Sequence, residues 1–128
     1  MTRVRAADPG PGSAASRGDR VALVAQDAAG VTLGRVAYSR LYGPRAELTL
    51  DVDAALWHSG VPALLLVAAA DHAARAGISM FLVRVPAADV WMLALLREHF
   101  AARESRDGAF VAAEFATTAR HAPRVERE

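Results

Sequence analysis

The chain predicts an α/β domain, a mixed sheet with helices packed on it in the order βββαβαβ. Three observations point there. Short strand-like segments separated by turn signals open the folded part; a strand then bends through Trp57-His58-Ser59-Gly60 into an almost wholly apolar helix; and that helix ends at a glycine just before a nearly continuous hydrophobic run. At 128 residues and 53% hydrophobic, the chain has material for one domain with a real core.

In order, Val21 to Ala25 reads as a short strand. Asp27-Ala28-Ala29-Gly30 is a turn, and Val31 to Tyr42 returns as the second arm of a hairpin. That arm alternates, with Gly34, Val36, Tyr38 and Arg40 on one side and Leu33, Arg35, Ala37 and Ser39 on the other. Gly43-Pro44 breaks it, and Ala46 to Val52 forms a third strand. A helix follows over 61–76, with Pro62 in its first turn and Gly77 as its stop. Ile78 to Val85 is a central strand, and strand-helix-strand implies a parallel crossover. A second helix, about 87–102, sets Met92, Leu95, Leu96, His99 and Phe100 on one apolar face. Asp107-Gly108 turns into a last strand, Ala109 to Phe115. Residues 1–19 and 118–128, rich in Pro, Gly, Ser and Arg, read as a disordered leader and tail around a domain at 20–117.

Composition excludes several chemistries. Without cysteine there is no disulfide framework, thiol nucleophile or Cys-zinc site. All 15 basic residues are Arg, which suggests a GC-rich bacterial genome and removes any catalytic lysine. A net charge of +1 with mixed signs gives no footprint for nucleic acid. The longest apolar run, Val61 to Ala70, is far short of the roughly 20 residues of a membrane span, and no signal peptide is visible. The expectation is a soluble, cytoplasmic protein that contacts neither membrane nor nucleic acid. His58, His72, His99 and His121 form no metal-ligand spacing, so no metal is expected.

A strand that bends through glycine into a helix is a phosphate-binding arrangement, because unpaired amides and the positive end of the helix dipole meet there. Ala46-Glu47-Leu48-Thr49-Leu50, the bend with Gly60, Asp71-His72-Ala73-Ala74-Arg75-Ala76-Gly77-Ile78, and Asp89-Val90-Trp91-Met92-Leu93 follow one another in an order and spacing that resembles the GNAT superfamily of acyl-CoA-dependent N-acetyltransferases. The wording is nearest to bacterial protein-lysine acetyltransferases, and the likeness covers roughly Val21 to Phe115. It implies acetyl-CoA as co-substrate, held in the cleft between the 46–52 and 78–85 strands, and an amine acceptor, either a small molecule or a protein lysine. The coenzyme A contacts it implies are Leu50, Asp51 and Val52 on the strand, Ser59, Gly60, Val61, Ala63 and Leu64 at the bend, and Asp89, which stands in the place of the family's Asn.

The chain departs from the family's pattern at the bend, where Trp57 stands in place of the usual Gln or Arg, Ser59 in place of a frequent basic residue and Pro62 in the first turn, and again ahead of Val21. Pro62 has no N–H, and losing one hydrogen bond to a charged oxygen costs about 1.5–3 kcal/mol. The resemblance implies two helices between the first strand and the meander that form much of the acceptor site, where this chain reads as a disordered leader before Val21; if this leaves Val36 and Tyr38 bare, a homodimer or partner protein would cover them.

Glu47 is either the general base that deprotonates the acceptor or an outward strand carboxylate paired with Arg35 or Arg45. Ser59 binds phosphate or caps the helix. Tyr38 and Tyr42 read as packing residues, His99 as a core histidine, and Trp57 and Trp91 as either interface or core aromatics. The general acid is unassigned. The alternative to an enzyme is a catalytically inactive GNAT-fold module for dimerisation, regulation or partner binding.

Overall fold

A computed structural model describes residues 2–6 and 20–118. Its elements are β1 (Arg3–Ala6), β2 (Arg20–Gln26), β3 (Thr32–Arg40), β4 (Arg45–Val52), a single 3-10 turn (Ala54–Leu56), α1 (Val61–Arg75), β5 (Met80–Pro86), α2 (Val90–Phe100), β6 (Arg103–Asp107) and β7 (Phe110–Ala116). The strands form one sheet in the order β1-β2-β3-β4-β5-β7-β6. Every neighbouring pair is antiparallel except β4 with β5, which is parallel.

Local chemistry sets the boundaries. Asp27 closes the β2–β3 turn by accepting from the amides of Ala29 and Val31, with Gly30 at a φ of +85°. The first helix ends where Gly77 takes a φ of +86° and the Ile78 amide folds back onto the Ala73 carbonyl. The second helix is shorter than the sequence suggests. Asp89 caps it by accepting from the Met92 amide at 3.1 Å, and Ala101 terminates it in the left-handed region.

Two strands lie outside the expected order. Arg3–Ala6, within the stretch read as leader, pairs along Leu23 to Gln26 as an edge strand. Arg103–Asp107 is exposed throughout and has no apolar alternation; only its ladder with β7 makes it a strand. The rest of the predicted leader, 7–19, and the predicted tail from 119 lie outside the described residues.

Register sorts the side chains onto two faces. Leu23, Val36, Tyr38, Leu48, Phe81, Val83, Ala113 and Phe115 share one face and are buried there. Both helices lie on this face: Tyr38 meets His72 of α1 and Phe81 of β5, while Phe100 of α2 packs on Phe115 with ring centroids 4.7 Å apart. Gly34 makes the close approach of α1 feasible. A Cβ there would sit 2.9 Å from Val52 Cγ2 and 3.1 Å from Leu65 Cδ1. The condition under which Val36 and Tyr38 would need a second copy or a partner is not met: α1 covers them, leaving 1% and 3% of their surfaces exposed. The opposite face carries Arg35, Glu47, Thr49, Asp51 and Arg84, all exposed, and no helix lies on it among the described residues.

Candidate functional site: a cleft where two parallel strands part

Strands β4 and β5 pair only at their beginnings, through Arg45 with Met80, Ala46 with Phe81 and Glu47 with Leu82. Beyond that β4 follows β3 to Val52, and β5 follows β7 to Pro86. Each strand keeps its antiparallel partner and loses its parallel one, so the sheet's twist opens a wedge between them. The wedge holds a cavity of about 260 Å³.

The cavity has two unlike sides. Toward the helices it is floored by Leu48, Leu66, Val83 and Leu96, with Met92 beside them. Toward the open face its rim is Glu47, Thr49 and Arg84. The start of α2 reaches the cavity through Asp89 and Met92, and the His58 ring stands edge-on to Trp91 at 5.1 Å, which ties the bend to α2.

No family model and no curated protein matches the chain. Solved structures do. A Klebsiella pneumoniae protein assigned to the acyl-CoA N-acyltransferases superposes with a TM-score of 0.77 at 15% identity, covering 91% of this chain and 98% of the other. The GNAT domain of an S. lividans PAT gives 0.69 at 27% identity, over 77% of this chain and 61% of that one. An IAA acetyltransferase from Bacillus cereus gives 0.68 at 17%, over 91% and 99%. The chain has the GNAT fold.

Within the GNAT cleft, the residues singled out from the sequence separate into groups. Glu47, Leu50 and Asp89 line the cavity. Glu47 is exposed and makes no hydrogen bond or ion pair with any described residue: Arg45 is engaged by Glu114, and Arg35 stands across the ladder from Asp51. The pairing with Arg35 or Arg45 that would make Glu47 a plain surface carboxylate is absent. Asp51 lies on the open face outside the cavity lining, and Val52 is buried, its carbonyl accepting from the Trp57 indole at 2.8 Å. Asp89 is committed to capping α2.

The bend is partly self-satisfied. The Ser59 amide donates to Leu56 O, its hydroxyl donates to the same carbonyl at 2.6 Å and accepts from the Val61 amide, and the Leu64 amide returns to Gly60 O. Ser59, one residue before the N-cap Gly60, therefore satisfies the first amide of α1. Of the amides over 59–64, those of Gly60 and Ala63 have no partner among the described residues, and Pro62 has none to offer. Gly60 itself has an ordinary φ of −77°, and a Cβ added there meets nothing within 4 Å. Nothing in the chain requires glycine at that point. The cavity lining includes Leu66 of α1 but none of residues 59–64.

The remaining candidates fall away from the cleft. His99 is exposed, so its reading as a core histidine is corrected: α2 buries Leu93, Leu96 and Phe100, and His99 lies off that stripe. Tyr38 is buried and shares a 2.6 Å hydrogen bond with His72 Nδ1. Burial pushes its phenol above the ordinary value, against the pull of Arg40 and then Arg75. Tyr42 is 70% exposed on the β3–β4 turn. Trp57 is half exposed and Trp91 half buried. Among the described residues no group of His, Asp and Glu could hold a metal ion, and no helix is long and apolar enough to cross a membrane. Sequence reading missed Thr49 and Arg84. The signal for Arg84 was present, as the one charge in an otherwise apolar strand.

Proposed function

We propose that the chain is an acyl-CoA-dependent N-acetyltransferase whose transfer occurs in the β4–β5 cleft. The observation that carries this is Glu47, an uncommitted carboxylate on the rim of a cavity whose far side is apolar. Acetyl-CoA would enter from the helix side. Its phosphates would meet the amides of Gly60 and Ala63, and its acyl end the floor of Leu48, Leu66 and Val83. The amine would come from the open face, where Glu47 takes one proton from the ammonium. The nitrogen then attacks the thioester carbonyl, a C–N bond forms, and the tetrahedral intermediate collapses with loss of the C–S bond. The second nitrogen proton passes to the departing thiolate, leaving amide and coenzyme A thiol. No covalent enzyme intermediate is needed.

Calorimetric titration with acetyl-CoA tests the cleft: a dissociation constant tighter than about 100 μM supports a working donor site, and no heat at millimolar ligand removes it. A panel of amines assayed for thiol release then tests transfer.

One set of contacts favours a second reading, an inactive GNAT-fold module. Trp57 occupies the Val52 carbonyl, three amides of the bend are internally satisfied and Pro62 has no N–H. In that reading the open face serves a second copy or a partner protein. Acetyl-CoA does not bind, and sedimentation of the chain alone gives twice its mass if the partner is another copy.

A further inference from the structure

Resting on the transfer reading, we infer that the acceptor carries a carboxylate as well as its amine, and that Arg84 is the residue that selects it. Glu47 and Arg84 stand on opposite lips of one cavity, the first on β4 and the second on β5, and both point to the face away from the helices. Among the described residues Arg84 is the one cation in the lining. Its hold elsewhere is loose: it approaches Asp107 at 3.5 Å with both side chains more than half exposed, and lies over the Phe110 ring at 4.9 Å. The ring lies against the guanidinium itself, whose N–H edge stays available to a planar acceptor.

The remaining charges at the cleft leave the same two poles. Asp89 also lines the cavity, but it sits at the helix side with one carboxylate oxygen on the Met92 amide, so on the open-face rim the charged groups among the described residues are Glu47 and Arg84. A small zwitterion such as an α-amino acid matches that pair, its ammonium at Glu47 and its carboxylate at Arg84. The apolar side of the cavity suits the uncharged acyl group. In the transfer the carboxylate is a bystander: the C–N bond forms and the C–S bond breaks as above, with one proton to Glu47 and the other to the thiolate.

The test is steady-state kinetics of the full chain with acetyl-CoA and matched pairs of L-amino acids and their amino-acid amides. The acids are preferred by the unmodified chain. In Arg84→Gln their kcat/KM falls by about 10- to 100-fold, chiefly through KM, while the amides change little; Arg84→Lys restores part of the loss. Asp107→Asn, which removes the competing carboxylate, leaves the acids unharmed. Equal losses for acid and amide, or no preference in the unmodified chain, overturn the proposal. So does a loss in Arg84→Gln confined to succinyl-CoA with a neutral amine, because the carboxylate would then belong to the donor.

A binding measurement separates this proposal from the transfer reading. Ligand-observed NMR with coenzyme A present follows the same acids and amides on both proteins. Acid-selective binding lost in Arg84→Gln, with no turnover of any amine, upholds the site and removes the transferase. Turnover of neutral amines without acid-selective binding does the reverse.

Discussion

The two faces of the sheet solve opposite problems. On the helix side the side chains satisfy one another: Tyr38, Phe81, Phe115 and Phe100 form a continuous run of rings, and Leu65, Leu66 and Ala69 close over it. On the open side Glu47, Thr49 and Arg84 surround the mouth of a cavity, and Glu47 has no intramolecular partner among the described residues. Stability resides on the first face and unspent chemistry on the second. The cleft is where the sheet lets one reach the other.

That division can be broken by substitution. Phe81→Ala, at 0% exposure, is expected to cost about 3–5 kcal/mol in chemical denaturation, because its ring meets both Tyr38 and Phe115. A cost under about 1 kcal/mol would mean that the helix side is not the main source of stability. On the open side Glu47→Gln is expected to lower thiol release by about a hundredfold while shifting stability by less than about 0.5 kcal/mol. An unchanged rate removes Glu47 from the mechanism, and a large stability loss erases the contrast between the faces.

Two smaller effects sharpen the comparison on the helix side. Gly34→Ala should destabilise by about 1–3 kcal/mol, since the new methyl would press Val52 and Leu65 and lift α1 from β3. Circular dichroism during denaturation checks it; a neutral result would mean that α1 relaxes freely. Tyr38→Phe should cost about 1 kcal/mol through the lost hydrogen bond to His72. It should also change the alkaline arm of stability. The folded Tyr38 phenol titrates above its unfolded value, so its contribution is whole below the unfolded pKa and is lost as pH rises toward the folded one. In Tyr38→Phe that arm flattens. Denaturation midpoints between neutral pH and about pH 11 report it.

Much of this molecule was legible in its sequence because local signals did not conflict. The α1 helix starts at Val61, as its apolar run and Pro62 indicate, and Gly77 stops it for the reason glycine usually does. The alternation along β3 correctly placed Gly34, Val36 and Tyr38 on one side. It did not say which side α1 would cover, because period two separates faces without naming them. β6 had no local signal at all, since Arg103–Asp107 is polar and exposed and becomes a strand only through pairing. His99 looked internal by helical spacing, but the stripe α2 buries is narrower than the apolar run.

The candidate site divides in the same way. Composition and the strand-bend-helix segment by themselves determined a cysteine-free, lysine-free α/β domain with a glycine bend before a buried helix and Glu47 on the strand leading to it. Those are properties of neighbouring residues, and short-range sterics and hydrophobic periodicity suffice to set them. Only the tertiary structure decided that β4 and β5 part beyond Glu47 and Leu82, that Arg45 is held by Glu114 so that Glu47 stays unpaired among the described residues, and that Arg84 of β5 shares its cavity. Strand divergence comes from each strand following its own antiparallel partner, and the pairing of charges depends on register between distant segments. Both are set by contacts that the linear order of residues does not contain.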